Sequence, residues 1–164
     1  MAIVKYSRGS KGNVTTNLTI EEFHCKCGKC SATVHDESLS FGLQKIRTHY
    51  GLPLIITSGY RCPTHNANVG GASQSYHTKG MAADFYVAGV ECSEVAAYAE
   101  SIGFCGIGLY DGYVHVDTRP KEKKAFWKTA NQTPVKTFIK EVAPEMTAKE
   151  LADKIRALLK SYNL

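Results

Sequence analysis

Residues 106–117 read Gly106-Ile107-Gly108-Leu109-Tyr110-Asp111-Gly112-Tyr113-Val114-His115-Val116-Asp117. Two β-prone runs flank Asp-Gly, a dipeptide suited to a two-residue type I′ turn, so the stretch predicts an antiparallel hairpin. Successive side chains on a strand point to opposite faces. Tyr113, His115 and Asp117 therefore share one face, and Val114 and Val116 share the other. A polar, aromatic face backed by valines is what the wall of a site over a core looks like.

Working upstream, Ser93 is placed to cap a helix running to about Ile102, with Val95, Ala96, Ala99 and Ile102 inward and Gly103 ending it. Ala82–Val87 reads as a strand. Residues 58–75 are rich in Gly, Ser, Asn and Pro and read as one long loop, of a length often functional in a compact domain. Leu54-Ile55-Ile56-Thr57 is a short buried strand. Before it, Leu39, Leu43, Ile46 and Tyr50 fall on one face of a helix over Ser38–Tyr50, stopped by Gly51 and Pro53. Thr19–Phe23 reads as a capped helical turn, and residues 1–20 otherwise as irregular with one short strand.

Downstream, Val135–Val142 is a strand candidate and Pro144 a break. Thr147-Ala148-Lys149-Glu150 forms a capping box opening a helix with Leu151, Ile155, Leu158, Leu159 and Tyr162 on one face. That helix is expected to dock on its own domain. The pattern as a whole predicts an α+β fold, a small, mostly antiparallel sheet with packed helices. Residues 1–119 are expected to form the core, with its motifs in 58–119, and residues 120–164 a basic C-terminal extension.

The 164 residues suit one domain, and 43% hydrophobic content suffices for a core without staples. No run approaches the roughly 18 apolar residues of a membrane span. Residues 1–10 lack the apolar stretch of a secretory signal, so cytoplasmic synthesis is expected. The net charge of +5 lies in residues 120–164, where ten Lys/Arg face five Asp/Glu. Such an end serves solubility or attraction to anionic polymers. No aromatic-interleaved basic motif of a nucleic-acid reader accompanies it.

Three of the six cysteines, Cys25, Cys27 and Cys30, crowd into seven residues. Free thiols, disulfides and a second metal all remain open. Cys-x-Cys-x-x-Cys is a partial metal clip, and no second pair at zinc-finger spacing completes it.

His77 and Asp84 stand in Ser75-Tyr76-His77-Thr78-Lys79-Gly80-Met81-Ala82-Ala83-Asp84. With His115 they supply two imidazoles and a carboxylate, a donor set for one catalytic zinc. A zinc so held activates water near neutral pH and polarises a carbonyl. Small residues at 80, 82 and 83 let the backbone pass close to such an ion.

The same run, Ser75-x-His77-x-x-Gly80-x-Ala82-x-Asp84, resembles the signature of the M15 metallopeptidases. That group holds zinc D-Ala-D-Ala carboxypeptidases and L-alanyl-D-glutamate endopeptidases. Ser58-Gly59-Tyr60-Arg61 with Asn66, and Val114-His115-Val116-Asp117, are similar to two further family segments. The resemblance spans roughly residues 18–119. It implies a hedgehog/DD-peptidase-like fold, zinc on His77, Asp84 and His115, and peptidoglycan stem peptides as substrate. It also implies that Arg61 holds substrate, its planar fork suiting a carboxylate, with Asn66 and Ser75 supporting the site. Tyr113 is placed to stabilise an oxyanion.

One position departs from the family. Many members carry an acid three residues before the last histidine, where this chain has Gly112. Asp117 and Asp111 are the candidate replacements as general base. Asp117 has a second role open to it, orienting His115 or Arg61. The missing acid also sustains the alternative of an inactive zinc-stabilised wall-binding or structural module. The leading expectation is a wall peptidase acting on the bacterial cell wall; a phage or prophage endolysin, a tail-associated wall lysin and a bacterial remodelling enzyme all fit it. Of the remaining histidines, His65 is a candidate for substrate contact, and His24, His35 and His49 are expected to be structural or solvated.

Overall fold

The structure is a computed structural model and describes residues 2–128 and 133–139. In chain order the elements are β1 (Ile3–Ser7), β2 (Ala32–Asp36), α1 (Glu37–Tyr50), β3 (Leu54–Ser58), α2 (Pro63–Asn68), β4 (Ala82–Val87), α3 (Cys92–Ser101), β5 (Gly106–Tyr110), β6 (Tyr113–Asp117), β7 (Ala125–Lys128) and β8 (Thr133–Val135). Strands β1 and β2 form an antiparallel pair. The others make a six-stranded sheet in the order β3-β4-β6-β5-β7-β8, antiparallel except where β5 meets β7. This is the α+β architecture expected, with a small, mostly antiparallel sheet.

Alternation along the central strands divides the molecule. Phe85, Val114, Val116 and Ile107 turn to one side and are fully buried. There they meet Leu39, Leu43 and Ile46 of α1 and Val95, Ala96 and Ala99 of α3 in one core. Helix α1 is capped by Asp36, whose side chain accepts from Ser38 N, and ends at Gly51 in the left-handed region. The hairpin β5–β6 has the expected bounds, and Gly112, at φ 80°, supplies the positive angle its turn requires.

Several expectations are corrected. The 58–75 segment is not all loop, because Pro63 at the first turn and Cys62 as cap open the short helix α2. Six polar and small residues carry no apolar period that would announce it. Helix α3 starts two residues early, with Glu91 rather than Ser93 at its N-cap and no side-chain cap bond. Of the strand expected at Val135–Val142, Val135 ends β8 (Thr133–Val135), residues 136–139 are not in a strand, and residues 140–142 lie outside the described residues. Strand β8 ends there because Glu100 gathers the chain: its carboxylate accepts from Thr137 Oγ1 at 2.8 Å and from Phe138 N at 2.6 Å. Phe138 is fully buried beside Phe126. Strand β7, unanticipated, carries the sheet past residue 119. The capping box at Thr147–Glu150 and the helix after it lie outside the described residues.

His35 on β2 is 1% exposed, faces Phe23 with ring centroids 4.3 Å apart, and has no hydrogen-bond partner for either ring nitrogen among the described residues. Burial pushes its imidazole down to about 4, against the opposing charges of Asp36 and Glu37. The unfolded chain then takes up this proton first, near pH 6.5. Stability contributed by neutral His35 is complete above that pH and is lost as pH falls from about 6.5 to about 4. The loss amounts to about 3 kcal/mol at 1.36 kcal/mol per unit. Denaturant unfolding at pH 7 and pH 4.5 should show it, and His35→Phe should remove that part of the difference.

Candidate active site

The face of the sheet opposite the core carries the candidate ligands. Asp84 on β4 stands directly across from His115 on β6 in the antiparallel register. Cross-strand partners on one face approach within about 5 Å at Cβ, so pairing alone brings these two together. His77 comes from the 3-10 turn Tyr76–Lys79, which Ser75 caps by accepting from His77 N. Gly80 follows in the left-handed region and returns the chain into β4.

The donor atoms converge. His77 Nε2 lies 3.2 Å from Asp84 Oδ1 and 3.2 Å from His115 Nδ1, and His115 Nδ1 lies 2.7 Å from Asp84 Oδ1. The outer nitrogens are held too. His77 Nδ1 donates to Gly59 O at 2.7 Å, and His115 Nε2 donates to Asp117 Oδ2 at 3.2 Å. Such partners fix each ring's tautomer and leave the inner nitrogen as the lone pair. Two inner lone pairs beside one carboxylate oxygen are a nest for a cation. The donor set fits a divalent metal, and the three residues form one of two such groups among the described residues.

Without a cation, a proton competes for the same place between the rings and the carboxylate. Burial opposes ionisation of Asp84, but hydrogen bonds from His115 and His77 outweigh it and hold the carboxyl far below its usual range. Burial disfavours charge on His115, yet Asp117 and Asp84 raise it to about 9. Burial keeps His77 low.

Asp117 is fully buried. Arg119 binds it in a fork, Nε to Oδ1 at 2.8 Å and Nη2 to Oδ2 at 2.6 Å. Despite burial, Arg119 and His115 hold its carboxyl down to about 2. Both oxygens are thus occupied. Asp111 sits exposed in the hairpin turn and is not brought to the cleft, since β6 carries only its own alternate residues there.

The cleft over the site measures about 890 Å³. Arg61 reaches it with Nη2 3.4 Å from Asp84 Oδ2, while its buried Nε has no partner among the described residues. Tyr113 lines it, stacked on Tyr110 at 4.6 Å. Burial and the charge of Asp84 raise the Tyr113 phenol, so it remains a donor. Asn66 does not touch the ligands. Its Nδ2 donates to Ala72 O at 2.9 Å and braces the loop at the cleft's edge. His65 faces a separate depression beside the cysteines, not this cleft, because α2 turns it away.

Two cleft residues escaped the sequence reading. Arg119 was legible in outline, lying two positions beyond Asp117. Trp127 was not, since its place depends on the parallel pairing of β7 with β5, which sets it beside Gly108. Its ring lies 5.3 Å from that of His115 and under Arg119.

Gly106 faces Asp117 across the β5–β6 register, and a Cβ there would meet the Asp117 carboxylate. Gly106→Ala should therefore cost about 1–3 kcal/mol in denaturant unfolding, the usual cost of overpacking a dense site. A change inside ±0.5 kcal/mol would contradict this packing.

The comparisons with known proteins converge on one group. A family model described as Peptidase M15 matches residues 16–117. The chain is 38% identical over 95 residues to a probable peptidoglycan L,D-endopeptidase MepK of Haemophilus influenzae, covering 52% of this chain and 51% of that protein. It is 39% identical over 75 residues to the peptidoglycan L,D-endopeptidase MepK of Escherichia coli K12, covering 42% of this chain and 41% of that one. The chain thus spans about half the length, or less, of the curated relatives it matches.

Proposed function

The chain belongs to the peptidase M15 family, and on that premise we propose that it is a zinc-dependent peptidase cutting a bond in peptidoglycan stem peptides. The observation that carries the proposal is the convergence of His77, Asp84 and His115 at the floor of an open cleft. A zinc ion held by these three would supply Lewis acidity to a scissile carbonyl and activation of water.

The chain's own residues orient the ligands, bind the substrate and shape the cleft. Asp117 orients His115 by accepting from its Nε2, and Arg119 holds Asp117 in place. Tyr113 keeps its hydroxyl proton and donates it in a hydrogen bond to the oxygen that becomes negative. Arg61, with an uncommitted Nε, anchors a carboxylate of the stem peptide. Ser75 and Asn66 act through the backbone, setting the turn and loop that frame His77. Trp127 and Tyr110 wall the cleft and limit water.

The names of the relatives favour endopeptidase over carboxypeptidase action. The cleft favours it too, running from the loop at Gly70 and Gly71 to Pro134 and Val135. The cell wall is accordingly the proposed place of action. Among the described residues no helix is long and apolar enough to cross a membrane.

The test is digestion of purified muropeptides of defined stem sequence, followed by mass spectrometry, with and without a chelator. The expected result is one new amino terminus inside the stem, absent with chelator and restored by zinc. Intact muropeptides with metal demonstrably bound would favour a non-catalytic wall-binding module instead.

A further inference from the structure

The second cluster of metal-capable side chains lies away from the cleft and has no part in the chemistry above. Cys25, Cys27 and Cys30 are joined there by Cys62, which is 32 residues further on and caps α2. All six cysteines are unbridged. Cys27 Sγ lies 3.5 Å from Cys25 Sγ, 3.3 Å from Cys30 Sγ and 3.9 Å from Cys62 Sγ. A disulfide needs about 2.05 Å and joins sulfurs in pairs. Four sulfurs around a tetrahedral zinc, at Zn–S of about 2.3 Å, are about 3.8 Å apart. The observed spacings match a shared centre and not two bridges.

Backbone donors already serve the sulfurs. Lys29 N points at Cys27 Sγ (3.3 Å), Cys62 N at Cys25 Sγ (3.4 Å) and His65 N at Cys62 Sγ (3.4 Å). N–H groups aimed at sulfur stabilise thiolates. Lys5 and Lys29 line the same depression and offset the charge that four thiolates leave on one divalent ion. Gly28, at φ 67°, gives the tight turn that lets Cys27 and Cys30 face one point.

We propose that Cys25, Cys27, Cys30 and Cys62 bind a structural zinc ion that clips the 25–30 loop to the start of α2 and thereby positions Arg61. Four thiolates close the coordination shell, so this ion has no open position for water and serves structure. Arg61 immediately precedes Cys62. Its own N donates to His77 O at 3.1 Å, and Tyr60 N donates to Phe23 O at 2.9 Å. The clip therefore pins both flanks of the strip that carries the guanidinium to the cleft. The positioning half rests on the peptidase reading, while the metal half stands without it.

The test uses the full chain purified without oxygen. Elemental analysis should find two zinc ions per chain, His77→Ala should keep one, and Cys62→Ser should keep one. Substitution by cobalt should produce thiolate-to-metal charge transfer in wild type and in His77→Ala, and none in Cys62→Ser. Should Cys62→Ser fail to fold, wild type alone decides by alkylation. Cys25, Cys27, Cys30 and Cys62 should be shielded until a chelator is added, while Cys92 and Cys105 react throughout. A metal content that Cys62→Ser leaves unchanged, four thiols open to alkylation, disulfides among the four, or iron in place of zinc would each overturn the assignment, whereas a single ion lost in Cys62→Ser and kept in His77→Ala would count against the peptidase reading alone. On stem peptides, Cys62→Ser should raise KM severalfold more than it lowers kcat. A fall confined to kcat overturns the positioning role and leaves the metal count untouched.

Discussion

His77→Ala should reduce kcat/KM on stem peptides by at least about a thousandfold, or about 4 kcal/mol of transition-state stabilisation. The expectation rests on what His77 alone provides. It is 1% exposed, its Nδ1 is committed to Gly59 O, and its Nε2 has no direction left but the shared point with Asp84 and His115. Removing it leaves two donors where catalytic sites use three. Loss of a supporting partner typically costs 10–100-fold in metal affinity, so loss of a ligand should cost more. Elemental analysis after dialysis should show the catalytic ion gone, and circular dichroism should show the fold retained, because the core lies on the other face of the sheet. A variant that keeps both its metal and its turnover would remove His77 from the site.

The ligands were legible because each stands on a local pattern whose geometry is short-range. Six residues separate His77 from Asp84, enough for one turn and a return into a strand, with Gly80 at the left-handed corner. His115 follows from strand alternation and an Asp-Gly turn, both readable within a dozen residues. The antiparallel register that sets Asp84 against His115 needed only that two predicted strands be neighbours.

What could not be read is what long-range pairing decides. Nothing in Ala125–Lys128 announces a strand that runs parallel to β5, and Trp127 enters the cleft only through that pairing. Cys62 lies 32 residues beyond Cys30, inside the 58–75 segment that reads as a loop. It becomes the fourth thiol because β3 delivers its following segment against Phe23, where Gly59 has no side chain to hold the two backbones apart. Helix α2 was hidden for a related reason. A single exposed turn and a half has no apolar face to show, and its position depends on a cap at Cys62. The departure at Gly112 is explained by the same hairpin that revealed His115, since its φ of 80° suits glycine and penalises an acid with a Cβ.

That departure makes the second large prediction a discriminating one. Asp117→Asn should weaken binding of the catalytic metal by about 10–100-fold and destabilise the fold, yet leave turnover at saturating zinc within about tenfold of wild type. Asp117 is fully buried, and its two oxygens serve His115 and Arg119. An asparagine keeps one acceptor, so it cannot serve both, and the half-buried Arg119 loses its countercharge. Removing one partner of a buried pair costs about 3–5 kcal/mol. Arg119 relaxes part of this by lying over Tyr76, 4.9 Å away. A general base behaves otherwise, since its loss lowers turnover by about 10²–10⁴ however full the metal site is. Titrating zinc into Asp117→Asn while following kcat therefore separates the two roles. Recovery with zinc marks a positioning residue, and a plateau far below wild type marks the base. Asp111→Asn is the companion measurement. It alters an exposed turn outside the cleft, and it should leave stability within about 0.5 kcal/mol and turnover unchanged. If turnover instead falls in Asp111→Asn, the hairpin tip must fold over the cleft during reaction.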